Sequence, residues 1–74
     1  MSITIYSQAG CYPCKATIRK TQELGIDHTV IDIAEDHDAR EYVMGLGFQS
    51  TPVVVAGDQS WSGYVPHKLQ ALVA

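Results

Sequence analysis

The chain has 74 residues, of which 46% are apolar and 18% charged, and its formal net charge is −3. A chain of this length is near the lower limit at which a hydrophobic core suffices for folding, so we expect residues 1–74 to form one domain. The acidic balance gives no electrostatic footprint for nucleic acid or for an anionic membrane surface. No apolar run approaches the roughly 20 residues of a membrane span, and the N-terminal segment lacks the basic region of a signal peptide. We therefore expect a cytoplasmic protein that binds neither nucleic acid nor membrane.

The first half of the chain predicts a strand, a helix and a second strand. Residues 2–6 alternate between apolar and polar, with two isoleucines on one face, as in a half-buried strand. After a short loop, apolar or small residues recur at helical spacing from residue 11 to residue 24, and Gly25 is a typical helix stop. β-Branched residues then predict a strand over residues 28–33.

The second half predicts a helix and a β-hairpin. Acidic residues open the helix at the positive end of its dipole, and Gly47 ends it. Asp36 and Arg40 are spaced for an i,i+4 ion pair on this helix. The apolar run 51–56 and the short segment 60–62 form the hairpin, joined by a Gly-Asp-Gln turn.

The second helix and a closing third helix each carry a predicted apolar face. The face of the second helix consists of Ala39, Tyr42, Val43 and Leu46. The closing helix has Pro66 in its first turn. Its apolar face consists of Val65, Leu69, Leu72 and Val73. The order of elements is therefore βαβαββα, which predicts an α/β fold with a mixed sheet of four strands and three helices.

The two cysteines of the chain, Cys11 and Cys14, lie at the junction between the first strand and the first helix. If the helix begins at Cys11, its sulfur lies beside unpaired backbone N–H groups and the positive end of the dipole, which favour the thiolate. Cys14 lies one turn further along the same helical edge and can reach the first sulfur. This asymmetry predicts thiol–disulfide exchange, in which Cys11 attacks a substrate disulfide and Cys14 then displaces the reduced substrate.

Two other uses of such a pair stay open, namely half of a zinc site and an inert structural disulfide. Zinc requires two further ligands, and His28, His37 and His67 form no cluster with ligand spacing, so we predict no metal site. A structural disulfide is unusual in the reducing cytosol. Redox exchange is therefore the favoured interpretation, and a zinc or scaffold module is kept as an alternative.

Three features of the chain together indicate a family. They are the strand–loop–Cys-x-x-Cys–helix opening, the dipeptide Thr51-Pro52 before an apolar strand, and the segment Trp-Ser-Gly-Tyr-Val-Pro at residues 61–66. In this combination the chain resembles the NrdH-redoxins, glutaredoxin-like members of the thioredoxin superfamily, over essentially its whole length. The resemblance implies a glutaredoxin-like fold with a thioredoxin-like role. Such a protein takes electrons from NADPH through thioredoxin reductase and delivers them to class Ib ribonucleotide reductase.

The resemblance also implies roles for individual residues. Cys11 is the implied nucleophile and Cys14 the resolving thiol of a redox-active disulfide. Pro52 is implied to be a cis-proline that faces the active site, and Thr51 to offer its backbone to a bound partner. The implied substrate-binding residues are Tyr12, Pro13, Thr51, Pro52, Trp61, Ser62, Gly63 and Tyr64. For Trp61, ordinary core filling is the alternative.

Two segments disfavour glutathione as the reductant. Glutaredoxins typically hold the carboxylates of this tripeptide with a lysine shortly before the first cysteine and with a Gly-Gly-x-Asp segment at the last helix. This chain has Gln8 at the first place and the aspartate-free segment 62–65 at the second, so an anionic ligand loses a charge-assisted partner. The chain also departs from the family at Tyr12-Pro13, and at Val65, where an arginine is usual. We therefore expect weak glutathione binding, and a glutathione-dependent glutaredoxin is kept as the alternative. We also expect a monomer without a bound cofactor.

Overall fold

The computed structural model describes residues 2–74 and shows a mixed sheet flanked by helices. The elements are, in chain order, β1 (Ser2–Ser7), α1 (Tyr12–Glu23), β2 (Asp27–Asp32), α2 (His37–Gly45), β3 (Val53–Ala56), β4 (Gln59–Ser62) and α3 (Pro66–Ala71). The strand order in the sheet is β2-β1-β3-β4. Strand β1 pairs with β2 in parallel and with β3 antiparallel, and β3 forms an antiparallel hairpin with β4. The predicted α/β class and βαβαββα order are confirmed.

The larger core lies on the face of the sheet that α1 and α3 cover. Because side chains alternate along a strand, the isoleucines of β1 point to this face together. Ile3 and Ile5 pack there with Val54 of β3, Trp61 of β4 and Leu69 of α3. The helices and the adjoining loops add partly buried side chains, namely Ile18, Leu24, Val65 and Leu72.

The opposite face carries a smaller core beneath α2. Tyr6, Val43 and Val53 are buried there, and Phe48 is among the partly buried residues that pack against them. The predicted apolar face of α2 is only partly correct, since Tyr42 is 48% exposed. Leu46, the C-cap residue of this helix, is 41% exposed. Successive helical residues point about 100° apart, so a helix of only nine residues turns few side chains towards the sheet.

Side chains cap the first two helices. Cys11 caps α1, and the carboxylate of Asp36 caps α2 by accepting the backbone N–H of Ala39 at 3.0 Å. The predicted pair between Asp36 and Arg40 is therefore wrong, because the Asp36 carboxylate serves the helix end instead. Among residues 2–74, the salt bridge that forms joins Arg19 to Glu23 on α1 at 3.4 Å.

Helix α3 is short, and it differs from the prediction at its end. Pro66 lies in its first turn as expected, and Leu69 is fully buried. Val73 lies beyond the last helical residue, Ala71, and is 52% exposed, because the helical repeat that was expected to turn it inward has ended. In the part of the chain that the structure describes, no helix combines the length and the apolar character needed to cross a membrane.

Candidate active site

The two cysteines meet at the N-terminus of α1. Cys11 is the N-cap residue, and its Sγ accepts a hydrogen bond from the backbone N–H of Cys14 at 3.2 Å. The Cα atoms of the pair lie 5.2 Å apart, and the two sulfurs form a disulfide. The loop before the helix turns at Gly10, whose φ of +74° favours glycine. The predicted helix start is confirmed, and it places Cys11 where helix-end N–H groups stabilise a thiolate.

Solvent exposure distinguishes the two cysteines. Cys14 is 2% exposed, whereas Cys11 is half-buried. A disulfide on a large partner therefore reaches Cys11 first. Between them, Tyr12 is 84% exposed, and the ammonium of Lys15 lies 5.8 Å from the centre of its ring. The residue that directly follows the outer cysteine thus presents an exposed aromatic ring with a positive charge close to it.

The Thr51–Pro52 segment lies against the outer sulfur, although it follows in sequence by 40 residues. Its peptide bond is cis, as the resemblance implied. The hydroxyl Oγ1 of Thr51 lies 3.5 Å from Cys11 Sγ, and the Thr51 carbonyl oxygen lies 3.6 Å from the same atom. Strand β1 pairs with β3 in antiparallel fashion, with Tyr6 opposite Val53. The loop that follows β1 and the segment that precedes β3 therefore lie at the same end of the sheet.

The segment that follows β4 holds the backbone before β3. The N–H of Gly63 donates to the carbonyl of Pro52 at 2.8 Å. The hydroxyl of Ser62 donates to the carbonyl of Ser50 at 3.1 Å and lies at the same distance from the Ser50 hydroxyl. Ser62 and Gly63 therefore contribute to the site by positioning residues 50–52. Tyr64, which comes next, is 41% exposed.

Trp61 lies in the larger core. It is 5% exposed, and the ammonium of Lys68 is 5.5 Å from the centre of its ring. Its Nε1–H is buried and has no hydrogen-bond partner among the described residues. This placement agrees with the alternative of core filling, because a side chain buried to this extent presents little surface to a partner.

A groove of about 490 Å³ adjoins the site on the α2 side of the sheet. Val43, Phe48 and Thr51 line it together with the polar side chains of Gln8 and Arg40. The i,i+4 spacing predicted a pair between Arg40 and Asp36, so Arg40 was not predicted to lie at the site. The sequence does contain a pattern that could have identified Arg40, namely an aspartate at the N-cap position of α2. An aspartate that caps the helix is not paired with Arg40, which is then free to line the groove.

The structure also bears on the zinc alternative. Within residues 2–74, no three His, Cys, Asp or Glu side chains come together in a cluster able to hold a metal ion. Cys11 and Cys14 therefore lack the two further ligands of a structural zinc site.

Comparison with known proteins agrees with this geometry. The family model described as Glutaredoxin matches residues 3–61. The glutaredoxin-like protein NrdH of Escherichia coli (strain K12) is 40% identical over 72 residues, which cover 97% of this chain and 89% of the relative. The protein of the same name from Lactococcus lactis subsp. cremoris is 33% identical over 70 residues, covering 95% of this chain and 97% of the relative.

A solved structure matches over nearly the same extent. The NrdH-redoxin structure from Escherichia coli superimposes with a TM-score of 0.93 at 40% identity, covering 97% of this chain and 95% of that chain. The family model, the sequence identity and the fold thus agree. The chain belongs to the glutaredoxin family and, within it, to the NrdH-type glutaredoxin-like redox proteins, with Cys11 and Cys14 as its redox-active pair.

Proposed function

We propose that this protein is a small thiol–disulfide oxidoreductase that reduces disulfides in partner proteins, and that residues 1–74 act as one redox domain. The observation that carries the proposal is the asymmetry of the cysteine pair. Cys11 is half-buried at the N-terminus of α1, whereas Cys14 is 2% exposed behind it. This arrangement gives one thiol to attack a partner and a second thiol to release it.

The reaction proceeds by two exchanges. The Cys11 thiolate attacks one sulfur of the substrate disulfide, a new S–S bond forms, and the second substrate sulfur leaves as a thiolate that takes a proton from water. Deprotonated Cys14 then attacks Cys11 Sγ, which closes the Cys11–Cys14 disulfide and releases the first substrate sulfur. Two electrons pass from the protein dithiol to the substrate, and a reductase must restore the dithiol.

The partner chain binds next to the outer sulfur in this proposal. The carbonyl of Thr51 lies at Cys11 Sγ and precedes β3, so an extended partner segment can pair with it in antiparallel fashion. Tyr12 follows Cys11 in the chain and Tyr64 follows the Gly63 that holds Pro52, and the exposed rings of both are proposed to offer apolar contact to the partner. Pro13 and Pro52, together with the backbone that Ser62 and Gly63 hold, complete the proposed surface.

Thioredoxin reductase is the proposed electron donor, with NADPH as the source, and class Ib ribonucleotide reductase is the proposed acceptor in the cytoplasm. The Escherichia coli NrdH-redoxin, which this chain matches along 97% of its length, is described as having a thioredoxin-like activity profile. The uncharged Gln8 supports the same assignment, since it lines the groove where a cation for glutathione is expected.

A glutathione-dependent glutaredoxin is the second candidate, and Arg40 is the observation that favours it. Arg40 lines the groove that reaches Thr51, so α2 supplies a cationic residue there. A carboxylate of glutathione bound beside Arg40 would gain a charge-assisted hydrogen bond.

One coupled assay separates the two candidates. NADPH consumption with a protein disulfide as substrate is measured with thioredoxin reductase, and in parallel with glutathione and glutathione reductase. We expect turnover in the first system and little in the second. Activity confined to the second system would replace the proposal with the glutaredoxin. Arg40→Gln then shows whether any glutathione turnover uses this cation, and Arg19→Gln, on exposed α1, is the matched control.

Single-cysteine variants test the order of attack. We expect Cys11→Ser to abolish turnover, and Cys14→Ser to accumulate mixed disulfides that mass spectrometry detects. Full activity of Cys14→Ser on protein disulfides would contradict the resolving role of Cys14 and indicate single-thiol chemistry.

A further inference from the structure

Two threonines lie fully buried on the inner side of α1. Thr17 and Thr21 are both 0% exposed. Each hydroxyl donates to the backbone carbonyl four residues earlier at 2.8 Å, Thr17 to Pro13 and Thr21 to Thr17. These bonds satisfy both hydroxyls, since a buried hydroxyl without a partner is costly. The two threonines thus make the same kind of bond, but of the two only Thr17 bonds to a residue that lies between the cysteines.

The carbonyl that Thr17 holds belongs to the peptide unit that joins Pro13 to Cys14. A peptide unit is planar and rigid, so its carbonyl and its N–H move together. In this unit the Pro13 carbonyl accepts the Thr17 hydroxyl at 2.8 Å, and the Cys14 N–H donates to Cys11 Sγ at 3.2 Å. A buried hydroxyl is therefore connected to the outer sulfur through one rigid group, and the Cα atom of Cys14 belongs to the same group.

We propose that Thr17 is a positioning residue for the redox pair, whose hydroxyl fixes the Pro13–Cys14 peptide unit and thereby holds Cys14 in place to attack Cys11 Sγ. The inference rests on the two-thiol exchange of the proposed function and adds to it a residue outside the Cys-x-x-Cys motif. Because Thr17 is 0% exposed, it acts through the backbone of the first turn of α1 and not by contact with a substrate.

The mixed disulfide is the state in which this positioning matters. In the oxidised protein the S–S bond itself holds Cys14 beside Cys11, with their Cα atoms 5.2 Å apart. In the mixed disulfide Cys11 Sγ is bonded to the partner, and no covalent bond links the two cysteine side chains. The rate of closure then depends on how closely the backbone keeps Cys14 to the geometry of attack, because intramolecular reactions gain their speed from such orientation.

The chemistry of the first turn makes the Thr17 bond important. Pro13 has no N–H, so its own peptide nitrogen donates no hydrogen bond that could hold the turn. The Thr17 hydroxyl is shielded from water, so it would lose its partner at a cost in free energy if the Pro13 carbonyl moved away. The peptide unit is thus held in one orientation while the sulfurs exchange partners.

The test follows the two exchanges separately by stopped-flow absorbance, with dithiobis(nitrobenzoic acid) as the disulfide. The Cys11 thiolate attacks the reagent, a Cys11–aryl disulfide forms, and the first thionitrobenzoate anion leaves. Deprotonated Cys14, whose proton has passed to the buffer, then attacks Cys11 Sγ, so that the internal disulfide closes and the second thionitrobenzoate leaves. The first phase of colour therefore measures attack by Cys11, and the second measures attack by Cys14.

Thr17→Val removes the hydroxyl and keeps the shape of the side chain. We expect its second phase to slow about threefold to tenfold, because one hydrogen bond that orients the attacking group is lost, and its first phase to stay within about twofold of the parent. Thr17→Ser keeps the hydroxyl and should show the parental second phase. Thr21→Val is the matched control, since it removes an equally buried hydroxyl with an equal bond one turn further from the cysteines. Both of its phases should be parental.

A parental second phase for Thr17→Val would overturn the inference. Equal slowing by Thr21→Val or by Thr17→Ser would also overturn it, because the cause would then be a general weakening of α1 or of its packing. Thr17→Ala is a second variant without the hydroxyl and should slow the second phase at least as much as Thr17→Val, with folding of each variant checked by circular dichroism and urea unfolding.

Failure of the proposed function gives a different result in the same assay. A parent protein with a first phase and no second phase would contradict the two-thiol exchange itself, and with it this inference. The assay contains no reductase and no partner protein, so a wrong assignment of the electron donor or acceptor leaves both phases unchanged and is detected only in the coupled assays.

Discussion

The two faces of the sheet are covered to different extents. Beneath α1 and α3, the core side chains Ile5, Val54 and Leu69 are fully buried. Beneath α2, the buried set is smaller, and the helix leaves Tyr42 48% and Met44 58% exposed. The groove beside the active site opens on this second face. The comparison indicates that the α1/α3 face provides most of the stability, whereas the α2 face combines a thin core with access to the site.

The largest effect is expected on the α1/α3 face. Leu69→Ala creates a cavity under α3 and should lower the free energy of unfolding by about 3 kcal/mol, with a melting temperature lower by roughly 15 °C. Because Leu69 lies in the core away from the groove, the KM for a disulfide substrate should be unchanged in the fraction that remains folded. Urea unfolding and thermal melting measure the first effect, and a loss below about 1 kcal/mol would contradict the comparison.

On the α2 face, Val43→Ala should cost less, about 2 kcal/mol, because fewer buried methyl groups are removed. Val43 also lines the groove, so here we expect an increase in the KM for a protein disulfide together with the loss of stability. The same unfolding and steady-state measurements apply. If Val43→Ala and Leu69→Ala changed KM equally, the proposed division between the faces would be wrong.

The cap of α2 gives a smaller effect on the same face. Asp36→Ala removes the acceptor for the N–H of Ala39, and we expect a loss of about 1 kcal/mol. Asp38→Ala is the matched control, since Asp38 lies in the first turn without capping the helix. Equal destabilisation by both variants would show that general negative charge near the helix start, and not the cap, is responsible.

The smallest effect concerns pH. Burial raises the pKa of Tyr6 above its usual value of 10.0, and Tyr42 and Asp36 add to the shift. At pH values well below 10, Tyr6 is protonated in both the folded and the unfolded chain. Above about pH 10 the unfolded chain ionises first, so the Tyr6 contribution to stability declines as pH rises towards the folded pKa. Tyr6→Phe should make the alkaline decline of the unfolding free energy less steep, and an unchanged slope would contradict this assignment.

Local patterns in the sequence were sufficient for the elements and for the cysteine pair. The alternation of Ile3 and Ile5 predicted β1 and the inward face of that strand, because a strand has a period of two. The spacing of Cys11 and Cys14 at a helix start predicted that one sulfur would sit among free N–H groups. Both depend on contacts within a few residues, which is the range over which sequence patterns are informative.

Errors arose where a side chain had two possible partners. Asp36 was predicted to pair with Arg40, but capping the helix satisfies backbone N–H groups that otherwise lack a partner. Tyr42 was predicted to face inward, and its ring instead lies 5.8 Å from that of Tyr6 at the edge of the smaller core. Only packing against the rest of the molecule decides between such choices.

The sequence by itself determined the element order, the Cys-x-x-Cys at the start of α1 and, through Thr51-Pro52 and residues 61–66, the family. Tertiary structure alone decided that the Thr51 hydroxyl lies 3.5 Å from Cys11 Sγ and that Arg40 lines the adjoining groove. The physical reason is distance along the chain. Local hydrogen bonds and periodic burial are encoded over one or two turns, whereas the meeting of residues 11 and 51 depends on the pairing of β1 with β3 across the whole sheet.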